Sequence, residues 1–180
     1  MLRKIAYNGQ KELKKLITNL LESAFPEDER PPTNRFFSSL KRKGNELFAY
    51  YDEDEFIGFT SLTFYQDICF IFFLAVQEEK RHQGYGGQIL EDIKTAYHDC
   101  VILLCYEEVN PQYQNYEERV LREKFYQKHG FKDNKMKTDE FGVIFQTVYI
   151  GQHLIEFETY LEVITIAFGE YVRDYVKEVR

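Results

Sequence analysis

Apolar positions along this chain change their spacing several times, and each change marks an element. Leu13, Leu16, Ile17, Leu20, Leu21 and Ala24 recur at helical spacing, which predicts an amphipathic helix over 11–25 that Pro26 stops. A short strand over 2–7 precedes it. After the loop PEDERPPT (26–33), Thr33 or Asn34 is placed to cap a second, shorter helix that carries Phe36, Phe37 and Leu40 and ends at Gly44. Strand formers dominate 46–51 and 56–65, joined by the turn DEDE at 52–55, and Gly58 marks a bend or a close approach. Gln66 and Asp67 turn the chain into CFIFFLAV at 69–76. This run is apolar on both faces, so it reads as a central strand covered on both sides.

The stretch RHQGYGGQILEDIKTAY follows, with Ile89, Leu90, Ile93 and Tyr97 at helical spacing. An apolar strand over 101–106 completes a strand–helix–strand unit, which predicts a right-handed parallel crossover. A polar loop over 107–114, a helix over 116–129 ended by Gly130, and a closing hairpin from 131–138 and 142–150 come next. Beyond Gln152 the chain carries two more amphipathic pieces. One holds Phe157, Tyr160, Leu161, Ile164 and Phe168, and the other holds Tyr171, Val172, Tyr175, Val176 and Val179. They predict a helical extension, 153–180, that packs on the domain of 1–152 or forms a homodimer contact. The fold class is α+β (α/β/α): a mixed, mostly antiparallel central sheet of about six or seven strands flanked by helices.

At 180 residues the chain has the size of one domain with an appendage, and its 44% apolar share suits a packed core. A net charge of −7 argues against a general nucleic-acid surface. Cys69, Cys100 and Cys105 form no CxxC pair and share no ligand spacing with the four histidines, so free thiols are expected rather than a metal site. No run approaches membrane-spanning length and the start lacks a signal-peptide pattern, which leads us to expect a cytoplasmic protein that does not enter a membrane.

Candidate chemistry concentrates after residue 76. A helix start carries unpaired N–H groups and the positive end of the helix dipole, so it is a ready anion site. Gly84, Gly86 and Gly87 would let a phosphate approach the backbone there, or would serve a tight strand-to-helix turn with close packing. The spacing is neither that of a dinucleotide-binding loop nor that of a Walker loop. A second stretch, Arg122 to Phe131 (REKFYQKHGF), ends a helix at a glycine and re-enters a strand.

Together these two stretches resemble the GNAT superfamily of N-acetyltransferases. Arg81, Gly84 and Gly86 match its acyl-CoA motif, and Phe125, Tyr126, Lys128, Gly130 and Phe131 match its later helix-end signature. The resemblance covers about residues 1–150. It implies that acetyl-CoA is the co-substrate and an amine the acceptor. His82, Gln83, Gly84, Tyr85, Gly86 and Gly87, after Arg81, would wrap the pyrophosphate. Leu74, Ala75 and Val76 would run beside the pantetheine arm, with an N–H near Leu74 facing the thioester carbonyl. Tyr126 matches the tyrosine that protonates the leaving sulfur. Some members carry a glutamate on the motif strand, where Phe70 stands here; others use one at the end of the following strand, which the resemblance places at Glu107 and Glu108, either as a base with a carboxyl raised by burial or as solvated loop residues, with a water relay to a distant base as the alternative. Arg119 and Arg122 stand where the family often has an asparagine and a small residue. They would bind phosphate or a substrate carboxylate, or pair with nearby glutamates. Arg30 and Arg35 are candidate substrate contacts. Against the enzyme stands a non-catalytic CoA-binding module.

Overall fold

The structure, a computed structural model, describes residues 2–27 and 30–179. Asp28 and Glu29, within the predicted 26–33 loop, lie outside the described residues. Among the described residues, eight strands form one sheet. They are β1 (Arg3–Ala6), β2 (Asn45–Asp52), β3 (Glu55–Tyr65), β4 (Ile68–Val76), β5 (Val101–Glu107), β6 (Lys132–Glu140), β7 (Val143–Ile150) and β8 (Val176–Val179). Their order is β1-β2-β3-β4-β5-β7-β6-β8, and among the described residues β4 and β5 are the one parallel pair. That parallel pair encloses the crossover helix α3 (Tyr85–Ala96), as the strand–helix–strand pattern predicts.

Helices cover both faces. On one side, α3 and α4 (Tyr116–Lys128) close a core that contains Ile57, Ile71, Ile89, Leu90, Ile93, Leu104 and Phe131. On the other, α1 (Lys11–Ala24) and α2 (Thr33–Ser39) pack Ile17, Leu21, Phe36 and Phe37 against Phe59 and Phe73. Helix α2 starts at Thr33 without a side-chain cap, and the Thr33 hydroxyl donates to Glu22 instead. Gly58 is a close approach. A Cβ there would sit 2.1 Å from the Ala75 carbonyl oxygen across the sheet.

The tail corrects two expectations. The sheet has eight strands, not six or seven, because the last amphipathic stretch is not helical. Only α5 (Phe157–Phe168) is an α-helix; a 3-10 turn (Glu170–Asp174) and β8 follow it. β8 pairs antiparallel with β6, Lys137 opposite Val179 and Glu140 opposite Val176. Four residues of period two satisfy a sheet edge, whereas a further helix would need a longer apolar stripe. Helix α5 roofs a third core in which Tyr160, Val163 and Ile164 meet Ile68, Phe70, Val101 and Leu103. The Asn134 side chain anchors this tail. Its amide donates to the Ile155 carbonyl and its oxygen accepts from the Ile155 N–H, both at 2.8 Å.

Two outcomes are expected. Gly58→Ala should lose about 3 kcal/mol or more in urea unfolding, because the added Cβ meets backbone that cannot rotate away. Truncation after Gln152 should give a chain without a cooperative thermal transition, since it uncovers the β4–β5 face that α5 buries.

Candidate active site

Strands β4 and β5 part halfway along. Their register runs from Ile68 opposite Val101 to Ile71 opposite Leu104 and stops there. On its other edge β4 pairs with β3, where Leu62 faces Ile71 and Ser61 faces Phe73. Phe72 is therefore the extra residue of a β-bulge, and the strands separate where it sits. The Gln77 N–H donates to the Ile57 carbonyl of β3. With a period of two, Ala75 and Gln77 serve β3, and the backbone groups of Leu74 and Val76 turn toward the gap left by β5. The Val76 carbonyl meets Nε of Arg81 there at 3.2 Å. Phe72 and Leu74, both half-buried, stand at the opening.

At the end of β4, a 3-10 turn (Glu78–Lys80) leads into α3. His82 and Gly84 both adopt positive φ, 60° and 86°, and no side chain caps the helix. Its first internal bond runs from the Gln88 N–H to the Gly84 carbonyl, so the Tyr85, Gly86 and Gly87 amides have no acceptor within the helix. The three glycines do different work. Around Gly84 a Cβ would meet nothing within 4 Å, whereas at Gly86 it would lie 3.2 Å from Phe125 and at Gly87 2.7 Å from His129. Gly86 and Gly87 thus let α3 pack on α4, and Gly84 alone leaves open backbone. The loop is held from outside. The Tyr85 hydroxyl donates to Asp52, Lys80 pairs with Glu55, and the Gln83 amide donates to the Glu79 carbonyl. The His82 side chain is exposed.

Helix α4 supplies the opposite wall. Tyr126 stacks parallel to Tyr106 and meets Phe125 and Phe131 edge-on. Burial pushes its hydroxyl up to about 12, against the pull of the Arg122 cation one turn earlier. Arg122 pairs with Glu107. The polar loop expected from residue 107 begins one residue later, because Glu107 is the last residue of β5 and is buried. No described protein donor reaches its second oxygen, Oε1.

Glu108 differs. Lys137 lies 2.7 Å from its carboxylate, and the hydrogen bond from that ammonium holds the group below the usual carboxylate range, contrary to the expected rise. Arg119 is buried and structural. Its guanidinium donates to Asn115 Oδ1 at 2.8 Å and the Glu108 carbonyl at 2.9 Å and lies over the Tyr113 ring. Phe70 is buried under α5 against Tyr160, so no base comes from that position.

One of the expected free thiols sits in a polar cluster. Cys105, half-buried on β5, lies 3.6 Å from the Tyr160 hydroxyl, which donates to Glu140 together with Thr138. Burial pushes the Cys105 thiol well up, and the three cysteines are free. No local motif announces a cluster drawn from three distant elements.

The gap in the strand pair, the uncapped helix start and the polar residues between them make a slot able to take an extended amide-bearing arm that ends in phosphate. A family model described as the acetyltransferase (GNAT) domain matches residues 43–133 of this chain. No curated protein matches the sequence. Among solved structures, a GNAT-family protein of Bacteroides thetaiotaomicron superposes with a TM-score of 0.72 at 22% identity, covering 93% of this chain and 99% of that one. A Bacillus subtilis acetyltransferase in complex with CoA gives 0.64 at 18% identity, with 84% and 99% covered. A GNAT-family acetyltransferase of Elizabethkingia anophelis with acetyl-CoA bound gives 0.60 at 16%, with 84% and 98% covered. With the family model covering half of its residues and the same fold recurring across these structures, the chain belongs to the GNAT acetyltransferase family.

Proposed function

We propose that this chain is an N-acetyltransferase that moves an acetyl group from acetyl-CoA to a primary amine of a small molecule or peptide by direct attack. The observation that carries the proposal is the parted β4–β5 pair. An uncapped helix start lies at one end of the gap, and Tyr126, Arg122 and Glu107 gather beside it. The bound CoA thioester supplies an activated acyl carbon. We assign the Tyr85, Gly86 and Gly87 amides, with the open backbone at Gly84, to its pyrophosphate. Leu74 and Val76 are assigned to the amide-bearing arm, with Ala75 holding their strand to β3. The Leu74 N–H is the donor for the thioester oxygen, a contribution of ~3 kcal/mol as negative charge develops there.

The remaining work is proton transfer. The incoming amine must be neutral, and Glu107 Oε1, buried without a protein donor, is the acceptor we assign to its proton. Arg122 balances the Glu107 charge on the other oxygen. As the C–N bond forms and the C–S bond breaks, the Tyr126 hydroxyl gives its proton to the departing sulfur and regains one from solvent. Glu108, already matched to Lys137, is not assigned a role in the chemistry. The missing carboxylate at Phe70 favours a second reading, a CoA-binding module without turnover, and the variants below separate the two.

Tyr126→Phe is expected to lower kcat about 100-fold while acetyl-CoA binding by calorimetry is retained. An unchanged turnover of zero in both chains, with tight binding, would instead establish the module. Glu107→Gln should lower kcat by a similar factor of about 100, and Glu108→Gln by less than about threefold. With the Tyr126 hydroxyl near 12, the acid form persists through the assayable range. kcat/KM should therefore rise with pH as the acceptor amine loses its proton and show no falling limb below about pH 10. Failure to bind acetyl-CoA at all would overturn the proposal.

A further inference from the structure

A groove of about 570 Å³ lies outside the residues assigned above, between α2 and the end of the tail. Arg35 and Ser38 on α2 and Arg42 in the turn after it form one wall, and Phe168, Tyr171 and Tyr175 line the other side. The charge of the groove runs against that of the chain. In a protein of net charge −7, two guanidiniums face one acid, Asp174. Neither arginine has a carboxylate partner among the described residues. Arg35 lies over the Tyr171 ring at 5.7 Å, and Arg42 makes one long contact, 3.4 Å, to the Ala167 carbonyl. The neighbouring Arg173 is committed to Glu162 and Glu170. Arg30, the other arginine singled out in the sequence, donates to the Phe25 carbonyl and does not line the groove.

The groove adjoins the opened strand pair. Phe168, on its tail side, packs edge-on against Phe72 with ring centroids 4.5 Å apart. Phe72 is the bulge residue at which β4 leaves β5. The pair Phe168 and Phe72 thus links the groove that holds the two guanidiniums to the point where the strands part. Helices α3 and α4 and the loop that enters α3 lie on the opposite face of the sheet, so the groove stands on the face away from the backbone assigned to the pyrophosphate.

We infer that the acceptor is a primary amine that also carries an oxyanion, a carboxylate or a phosphate, and that Arg35 and Arg42 bind this oxyanion while the amine lies by Phe72. The inference rests on the acetyltransferase reading and names its substrate class. A guanidinium presents paired donors in a planar fork, which suits either oxyanion, and the tyrosine rings give the connecting carbon framework a surface to lie on. A simple diamine or an aminoglycoside would bring only further cations to a wall that already holds two.

Release of CoA thiol from acetyl-CoA tests this with matched pairs. Glycine, β-alanine, phenylalanine and lysine are compared with their amides or decarboxylated amines, and O-phosphoethanolamine with ethanolamine. At least one oxyanion-bearing member is expected to exceed its neutral partner about tenfold in kcat/KM, and the two arms tell carboxylate from phosphate. Arg35→Gln, an exposed position that should not disturb folding, is expected to raise KM for that member about tenfold with kcat changed far less. Arg42→Gln should act in the same direction, and Lys41→Gln, an exposed cation that does not line the groove, should alter neither constant. The inference is overturned if the neutral partners are used as well as the anionic ones, if no oxyanion-bearing amine turns over, or if both arginine variants keep the parent KM. Acetyl-CoA binding measured on the same samples keeps the two readings apart. Its absence removes the acetyltransferase reading and this one with it, whereas binding without oxyanion preference removes only the substrate class.

Discussion

Strands β4 and β5 are paired from Ile68 to Ile71 and then diverge, and the site exists because of that divergence. A sheet interior does not open by itself, since each parted strand leaves N–H and C=O groups without partners. Here the opening has a local cause. One extra residue in β4 reverses the alternation of side chains, so Phe72 and Phe73, neighbours in sequence, turn to the same face, with ring centroids 4.5 Å apart. Both are then absorbed by aromatic contacts: Phe73 by Phe25 and Phe36, Phe72 by Phe168. Apolar burial on the α1, α2 and α5 side offsets the loss of ladder bonds on the β5 side. The exposed edge of β4 thereby becomes a surface that another extended chain can complete.

The charged groups around the opening divide into those satisfied inside the protein and those left with capacity. Arg119 spends its donors on Asn115 and the Glu108 carbonyl, which fixes the 108–115 loop and orients the start of α4. Glu108 is matched by Lys137. By contrast, Glu107 has one oxygen on Arg122 and the other without a protein donor, a condition that is unfavourable for a buried carboxylate unless a ligand or water meets it. The arginines of the groove are unmatched in a similar way. Unspent polar capacity therefore lies at the end of β5 and in the groove beside α2.

The tail connects these parts. α5 seals the face on which Phe70 lies, its last residue Phe168 meets the bulge, and the 3-10 turn after it furnishes the tyrosines opposite α2. β8 then covers the outer edge of β6 with a short strand bearing Lys177 and Glu178, so the sheet ends on charged residues. Burial pushes the Glu140 carboxyl up, and the hydroxyls of Tyr160 and Thr138 both donate to it, joining β6 to α5.

Periodicity alone determined much of this protein: α1, the β2–β3 hairpin, the central position of β4, the crossover through α3 and the glycine-entered helix start. These follow from neighbours a few residues apart, where side-chain spacing and backbone preference act directly. The paired motifs around Gly84 and Tyr126 carried the family as well. What only the tertiary structure decided depends on contacts between distant segments. The bulge at Phe72 is invisible in CFIFFLAV, because an apolar run has no alternation to break. Gly86 and Gly87 look like Gly84 in sequence, and only the approach of Phe125 and His129 shows that they serve packing. Glu107 and Glu108 are adjacent and chemically alike, yet the first, buried at the end of β5, meets Arg122, and the second, the first residue of the loop, meets Lys137. The final stretch could have been a helix by its apolar spacing. It became a strand because the open edge of β6 supplied the hydrogen bonds that four residues could not make among themselves.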